Sequence, residues 1–331
     1  MLRAMIRAAK RWLGLAVRVL GTAAALAWIA THVDLGQAQG ALARIPAATF
    51  ALAVALVAAN VVAGAARWRV LLPAYGATRI PAFAALVRLY FVAFFYNNYL
   101  PGAVAGDVAR GVVTRDAFAG EGATGALAVV LVERALGLFG LFALLAVGLV
   151  ATAGALDSGA LWWWTVLGSA GSFALVAAIP LARAIAPRLP RRPAPLARLA
   201  AIAARLPALR DGRAFAGAVL LSVATQALVA AAGWVLLAAL APIGFAASLL
   251  VVPLAAATAF LPITVGGAGF REGVYVALGG QLFGMPRADA LAASLALWLA
   301  HLVVGAGGGI AQLLRARDRA ASPPAADLPP R

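Results

Sequence analysis

The sequence predicts an all-α integral membrane protein with six full transmembrane helices and two opposed re-entrant helical hairpins, arranged as an inverted repeat. Three observations support this prediction. First, 64% of the 331 residues are hydrophobic, only 11% are charged, and the mean hydropathy is +0.96. Second, the arginines are concentrated in alternate loops between apolar segments. Third, two apolar segments are interrupted by similar runs of Leu-Pro, glycine and charged residues.

Apolar stretches that are long enough to cross a bilayer give the number of spans. A hydrocarbon core of about 30 Å requires roughly 20 residues of helix. Six stretches meet this condition, at about 12–31, 47–66, 124–150, 161–182, 214–240 and 288–313. Two further apolar regions, 81–118 and 246–286, are broken in the middle. The first stretch follows a basic N-terminus but precedes no convincing cleavage site, so we expect it to be retained.

The distribution of basic residues predicts the orientation. The net charge is +16, and Lys10 is the one lysine among the 27 basic residues. Nucleic-acid binding is a weaker explanation than the positive-inside rule, because the arginines lie between apolar spans. The arginine-rich segments are 1–11, 67–88, 183–213 and the C-terminal tail. The arginine-poor segments are 31–46, 151–160 and 241–247. Both termini are therefore predicted to be cytoplasmic.

The same orientation makes each broken region a hairpin. Region 81–118 follows the cytoplasmic Arg79 and precedes a span that starts in the cytoplasm, so both its ends are predicted to be cytoplasmic. By the same reasoning, region 246–286 is predicted to begin and end outside. Each half then has three full crossings, which is an odd number, so the second half is inverted relative to the first.

The predicted organisation has four parts. The first, 1–186, contains the first repeat with the hairpin 81–118 and the start of the second repeat at about 161. A proline-rich cytoplasmic connector follows at 187–213, with a surface helix around 196–206. The remainder of the second repeat, with the hairpin 246–286, occupies 214–314, and 315–331 is predicted to be a disordered tail. The absence of cysteine excludes disulfides and cysteine nucleophiles.

The two interruptions contain the candidate binding residues. The first interruption consists of Pro101, Gly102, Gly106, Asp107 and Arg110. The second consists of Pro262, Gly266, Gly267, Gly269, Arg271, Glu272 and Gly273. Irregular backbone at membrane depth is tolerated only where it is buried in protein or lines a polar cavity. A helix N-terminus beside an arginine is suited to an anion such as phosphate. Alternatively, these charges only neutralise buried partners and hold each hairpin closed.

Other polar residues in apolar surroundings are further candidates. Glu133 and Arg134 lie inside the span 124–150, where ionisable groups are expensive, and Glu133 is expected to pair with Arg110 or Arg134. Asn97 and Asn98 end the first arm of a hairpin, where they either satisfy backbone groups or bind a headgroup.

Arg67 and Arg69 flank Trp68 at the predicted end of the second span. They are interpreted as an interfacial anchor or as a collector of lipid phosphates. His32 and His301 are isolated, and nucleotide-binding, serine-hydrolase and zinc-protease motifs are lacking, so no metal or cofactor is predicted.

These motifs resemble those of a known family, the flippase-like transmembrane region of lysylphosphatidylglycerol synthases, which also occurs as stand-alone proteins. The resemblance extends over residues 10–315 and rests on Arg67-Trp68-Arg69, Asn97–Gly102 with Gly106, Asp107 and Arg110, Leu131–Arg134 with Gly137, and Leu261–Gly273. It implies a multi-pass protein of the bacterial inner membrane that moves lipids or lipid-linked molecules between leaflets. The synthases carry a C-terminal soluble aminoacyl-transferase domain that this sequence lacks after its last span, so aminoacylation is not expected.

The functional hypotheses belong to different classes. In the first, a transporter moves an anionic or lipid-linked headgroup, whose phosphate is held by Arg110 and Arg271 while Asp107, Glu133 and Glu272 balance the charge. In the second, the protein is a membrane-embedded glycosyltransferase-like enzyme of hopanoid or polyprenyl-linked lipid synthesis, although predicted outer loops of 7–16 residues leave little room for an acceptor. In the third, it stabilises a partner protein. The expected partners are phospholipids or a lipid-linked substrate, not nucleic acid, and homo-oligomerisation is left open.

Overall fold

The structure is a computed structural model that describes residues 2–100, 105–118, 122–153, 159–188, 194–260, 264 and 266–321. These ranges are helical and contain no β-strand, which confirms the all-α class. Their α-helices are α1 (Leu2–His32), α2 (Leu35–Arg44), α3 (Ala47–Ala74), α4 (Phe83–Tyr99), α5 (Ala105–Val113), α6 (Gly122–Ala151), α7 (Gly159–Ile185), α8 (Ala194–Ala204), α9 (Gly212–Ala238), α10 (Phe245–Ala257), α11 (Phe270–Phe283) and α12 (Arg287–Ala321).

Five of these helices are long and apolar enough to cross a membrane: α3, α6, α7, α9 and α12. They correspond to five of the six predicted full spans. The sixth falls on α1, whose last part, Val19–His32, is followed by α2 after a bend of 84°. If this bent pair is one broken span, the described chain has six.

The boundaries of several elements differ from the prediction. Residues 31–46, predicted as a loop, contain α2, whose N-terminus is capped by Asp34 as its carboxylate accepts a hydrogen bond from the Gln37 N–H at 3.0 Å. Helix α3 continues beyond 66 to Ala74 because Leu71 and Leu72 are fully buried. The predicted surface helix around 196–206 is confirmed by α8.

Helix α12 also extends further than predicted. It ends at Ala321, so residues 315–321 are part of this helix, and the disordered tail stays a prediction. These residues are alanine, arginine and one aspartate, and the first two favour helix. The rest of the predicted tail lies outside the described residues.

The helices of the two halves pack in matching pairs. Helix α3 of the first half packs against α9 of the second. The contact of α6 with α10 corresponds to the contact of α12 with α4. The contact of α3 with α4 corresponds to the contact of α9 with α10. Likewise, α5 packs on α6 as α11 packs on α12. An inverted repeat predicts such matching contacts, and the inverted orientation itself stays a prediction.

The first broken region folds back on itself. Helices α4 and α5 pack together, and the Thr78 N–H donates to the carbonyl of Ala117 at 2.9 Å. The two ends of this region therefore lie side by side. In the second region, α10 and α11 also pack together. These four helices have 17, 9, 13 and 14 residues, which is short for a full crossing. That each region enters the bilayer from one face stays a prediction.

Glycines on α12 allow the backbone of α4 to approach closely. A Cβ atom on Gly308 would overlap the carbonyl oxygen of Phe91, whereas a Cβ on Gly307 would meet nothing within 4 Å. Small residues allow this kind of close helix packing in membranes. We expect Gly308→Ala to lower the free energy of unfolding by about 1–3 kcal/mol, because the two backbones must separate.

The matched control for this change is Gly307→Ala, on the same helix but facing open space. Thermal unfolding in detergent, followed by tryptophan fluorescence, measures both variants. Equal melting temperatures for the two variants would contradict the close contact between α4 and α12.

Candidate functional site

A buried group of charged and polar side chains lies where four helices meet. We call it the charge cluster, and it consists of Arg67 on α3, Tyr90 on α4, Asp107 and Arg110 on α5, and Glu133 and Arg134 on α6. Glu133 lies about 16 Å along the α6 axis from Gly122, well inside a span of this length. The cluster therefore places several ionisable groups at membrane depth.

Glu133 is the centre of the charge cluster. Its Oε1 accepts hydrogen bonds from Arg67 Nη2 at 2.8 Å, from Arg67 Nε at 3.2 Å and from the Tyr90 hydroxyl. Its Oε2 forms an ion pair with Arg110 Nη2 at 2.5 Å. The predicted pairing of Glu133 with Arg110 is confirmed. The alternative partner, Arg134, instead pairs with Asp107.

Arg110 is enclosed by aromatic rings as well as carboxylates. Its guanidinium carbon lies 4.5 Å from the centre of the Trp68 ring and 4.2 Å from that of Tyr90. A second ion pair joins Arg110 Nη2 to Asp107 Oδ1 at 3.3 Å, and the side chain is only 4% exposed. Such contacts stabilise a guanidinium away from water. In this conformation the described residues bury Arg110 almost completely.

Arg67 contacts α9 inside the helix assembly, which is not expected for a residue at the end of a span. Its Nη1 donates to Ser222 Oγ at 3.1 Å and to Thr225 Oγ1 at 3.4 Å, both on α9. The side chain is 12% exposed, and its neighbour Trp68 is fully buried. These internal contacts argue against an interfacial anchor at Arg67 and Trp68, and a phosphate-binding role for Arg67 stays a prediction. Helix α3 continues past both residues, so they lie inside the helix assembly.

Arg69 lies outside the charge cluster. It is exposed, its guanidinium carbon is 5.7 Å from the centre of the Phe83 ring, and with Asp211 it lines a pocket of about 590 Å³. Its position is the one that fits the predicted anchor at the membrane surface.

The start of α5 is held in place by Asn97. Its Oδ1 accepts from the Gly106 N–H at 3.0 Å, and its Nδ2 donates to Asp107 Oδ1 at 3.1 Å. Gly106 is required here because a Cβ atom would overlap the backbone of Ala93 on α4. The interpretation that Asn97 satisfies loose backbone is confirmed. Asn98 differs, because its amide donates to the Phe94 carbonyl of its own helix at 2.8 Å.

Arg134 is the arginine of the charge cluster that faces outward. Its Nε contacts Asp107 Oδ2 at 2.5 Å, and 31% of its side chain is exposed. This exposure is much larger than that of Arg110 or Arg67. Arg134 therefore forms the accessible side of the cluster.

The second interruption is organised by Glu272. Its Oε2 accepts from the Gly269 N–H at 2.7 Å, and its Oε1 accepts from Arg271 Nε at 2.8 Å. The carboxylate therefore caps α11 and neutralises its neighbour. Arg271 is 22% exposed on its side chain, and its guanidinium carbon lies 6.0 Å from the centre of the Trp298 ring.

Three of the predicted hairpin glycines have backbone conformations that favour glycine. Gly266, Gly267 and Gly269 have φ angles of 62°, 80° and 84°. At Gly269 a Cβ would also overlap Ala25 of α1. Gly273 is an ordinary helical residue with open space around it. Pro101, Gly102 and Pro262 lie outside the described residues.

Helix α12 contacts the second interruption and the end of α4, which leads into the first. Trp298 lies near Arg271, while the next turn contacts the end of α4. There the Tyr99 hydroxyl donates to the carbonyl of Leu302 at 2.9 Å, and His301 stacks on Phe94 with ring centres 5.7 Å apart. Within the described ranges, no group of three or more histidines, aspartates and glutamates is placed to hold a metal ion.

Some members of the site were not predicted from the sequence. Tyr90 precedes Asn97 by seven residues, the spacing of one helix face. Ser222 and Thr225 are separated by three residues in an otherwise apolar span. Polar residues at helical spacing within an apolar span are the signal that points to them.

One family model matches nearly the whole chain. The family model described as the lysylphosphatidylglycerol synthase TM region matches residues 12–309, which include the charge cluster and the second interruption. No curated protein matches the chain. Together, the apolar helices and the extent of the match show a multi-pass membrane protein that belongs to the lysylphosphatidylglycerol synthase transmembrane-region family.

Proposed function

We propose that this protein is a lipid flippase-like transporter that moves an anionic or lipid-linked headgroup between the leaflets of the bacterial inner membrane, with both termini in the cytoplasm. Membership of the family supports a role connected with membrane lipids. The observation that carries the proposal is the charge cluster, which holds three arginines and two carboxylates inside a membrane-spanning assembly.

Stability alone is a poor explanation of the charge cluster. Apolar residues of similar volume often replace a buried ion network without loss of stability. Ionisable groups within a membrane are costly, and they mark pathways or binding sites by default. A network in which each arginine has a carboxylate partner is suited to partner exchange, because phosphate oxygens bind guanidinium with similar geometry.

In the proposed mechanism the exposed arginines contact the headgroup first. Arg134 of the charge cluster and Arg271 of the second interruption are both partly exposed. The phosphate replaces Asp107 as the partner of Arg134, and movement of α5 away from α6 then opens Arg110. A carboxylate that loses its arginine becomes free to bind a coupling proton. Because the sequence has no nucleotide-binding motif, movement is passive or driven by an ion gradient or the membrane potential.

The alternative is a glycosyltransferase-like enzyme, which requires an available catalytic carboxylate. Asp107, Glu133 and Glu272 each contact an arginine in this structure. A carboxylate held in this way is a poor general base, because its charge is already neutralised. The geometry therefore favours the transporter.

A translocation assay tests the proposal. The protein is reconstituted in phosphatidylcholine vesicles that contain phosphatidylglycerol with a fluorescent acyl chain, and dithionite bleaches the tracer in the outer leaflet. We expect the wild type to make the inner tracer accessible. Arg134→Gln and Arg271→Gln should each slow this by about tenfold or more, which corresponds to the loss of one charge-assisted contact.

The matched control is Arg115→Gln. Arg115 follows α5, its side chain is 58% exposed, and it forms an ion pair with the exposed Asp116. Its replacement should leave the rate unchanged. A wild-type rate equal to that of protein-free vesicles would exclude the transporter, and unchanged rates in both test variants would exclude their role in holding phosphate.

A further inference from the structure

A groove between α6 and α7 opens on the lateral surface of the helix assembly. Its volume is about 460 Å³, and its apolar lining includes Leu127, Leu131, Leu175, Ala178, Ile179 and Leu206. Three of the leucines, Leu127, Leu131 and Leu175, are 37%, 42% and 38% exposed. Both helices are long and apolar enough to cross a membrane, so we expect the exposed leucines to face lipid and the groove to be accessible to an acyl chain.

An arginine lies at each end of this groove. On α6, Leu127, Leu131 and Arg134 are separated by four and three residues, which places them on one face of the helix. Arg134 is thus about 5 Å along the axis beyond Leu131. It is also the exposed arginine of the charge cluster.

The other end of the groove is marked by Arg183 on α7. Arg183 follows the groove residue Ile179 by four residues, on the same helix face. Its Nη1 donates to the carbonyl of Leu206, which also lines the groove. The groove therefore has apolar walls and an arginine near each end, of which Arg134 is paired with Asp107.

We infer that this groove binds one acyl chain of an anionic phospholipid and guides its headgroup between Arg183 and Arg134. The inference rests on the proposed transport function and adds the route by which lipid reaches the charge cluster. An acyl chain gains little by moving from lipid into an apolar groove, because both surroundings are equally apolar. Selectivity must therefore come from the two arginines, and binding should depend on headgroup charge rather than on chain length.

Photocrosslinking in vesicles tests this inference without requiring transport. The probe is phosphatidylglycerol with a diazirine on one acyl chain, in phosphatidylcholine vesicles, and labelled peptides are mapped by mass spectrometry. We expect labelling at 124–131 and 175–182. Unlabelled phosphatidylglycerol should compete roughly fivefold better than further phosphatidylcholine.

Two variants of α7 form a matched pair. Ala178→Trp fills the groove, whereas Leu181→Trp places the same side chain at a position that is 58% exposed and outside the groove lining. Labelling of the groove should fall roughly fivefold in the first and stay unchanged in the second. Equal labelling in both variants, no preference for phosphatidylglycerol, or a crosslink between two copies in place of lipid would each overturn the inference.

The translocation assay separates this inference from the proposed function. If Ala178→Trp loses groove labelling and the wild type moves no lipid, the lipid groove stands and the transporter fails. If the wild type moves lipid and Ala178→Trp moves it equally fast, the transporter stands and the groove is not its route.

Discussion

Replacement of Glu133 by glutamine is expected to lower the free energy of unfolding by about 3–5 kcal/mol, the cost of removing one partner from a buried ion pair. Glu133 contacts both Arg67 and Arg110, and its side chain is only 3% exposed. The amide keeps nearly the same volume and can still accept from Tyr90. It removes the negative charge, so the longer contact with Asp107 becomes the ion pair that balances Arg110.

Unfolding in mixed detergent micelles measures this change, with Asp116→Asn as the control. Asp116 is 84% exposed on its side chain and pairs with the exposed Arg115, so the loss of its charge should have little effect. A double variant that combines Glu133→Gln with Arg110→Met should recover part of the stability, because one buried charge is removed. Equal stability of Glu133→Gln and Asp116→Asn would show that water reaches the charge cluster.

Single cysteines at the ends of the two broken regions are expected to react from opposite sides of the membrane. Because the chain has no native cysteine, each reaction reports on one position. Ala84 and Asp116 flank the first region, and Ala246 and Arg287 flank the second; all four are exposed. A membrane-impermeant thiol reagent should reach the first pair only from the cytoplasm and the second pair only from outside.

The neighbouring positions Ala117 and Ala288 provide the controls. Both are buried, at 4% and 6% exposure, so cysteines there should react from neither side. If all four exposed positions react from one side, the orientation predicted from the arginines is wrong. Both interruptions would then face the same compartment, and the one-sided active site of a transferase would become the better hypothesis.

The sequence predicts spans well where hydropathy is uniform and less well where charge enters a helix. The prediction ends the second span at 66 because Arg67 lowers the local hydropathy, yet α3 continues to Ala74. The partner that neutralises Arg67 is Glu133 on α6, which is 66 residues away in the chain. A local pattern cannot show such a partner, so the end of the span cannot be predicted from it.

The charged residues of the candidate site could be predicted from the local sequence, but most of their pairings could not, because these depend on contacts between helices. The charged residues could be identified because charge is rare in apolar segments, and one of the two partners predicted for Glu133 is correct. The pairing of Arg134 with Asp107 depends on how α5 packs against α6. Tyr90 is a common residue in a membrane helix, and its role becomes visible only when its hydroxyl is seen on Glu133.

Helix α12 packs against α4 of the first broken region and against α11 of the second. Its contact with α4 is backbone against backbone at Gly308, so there is little slack for one helix to slide along the other. About three turns earlier it carries Trp298 beside Arg271. A lipid that displaces α12 from one broken region therefore strains its contacts with the other. Because one helix contacts both broken regions, opening both regions at the same time is costly. This cost would keep protons and small ions from crossing the membrane with the lipid.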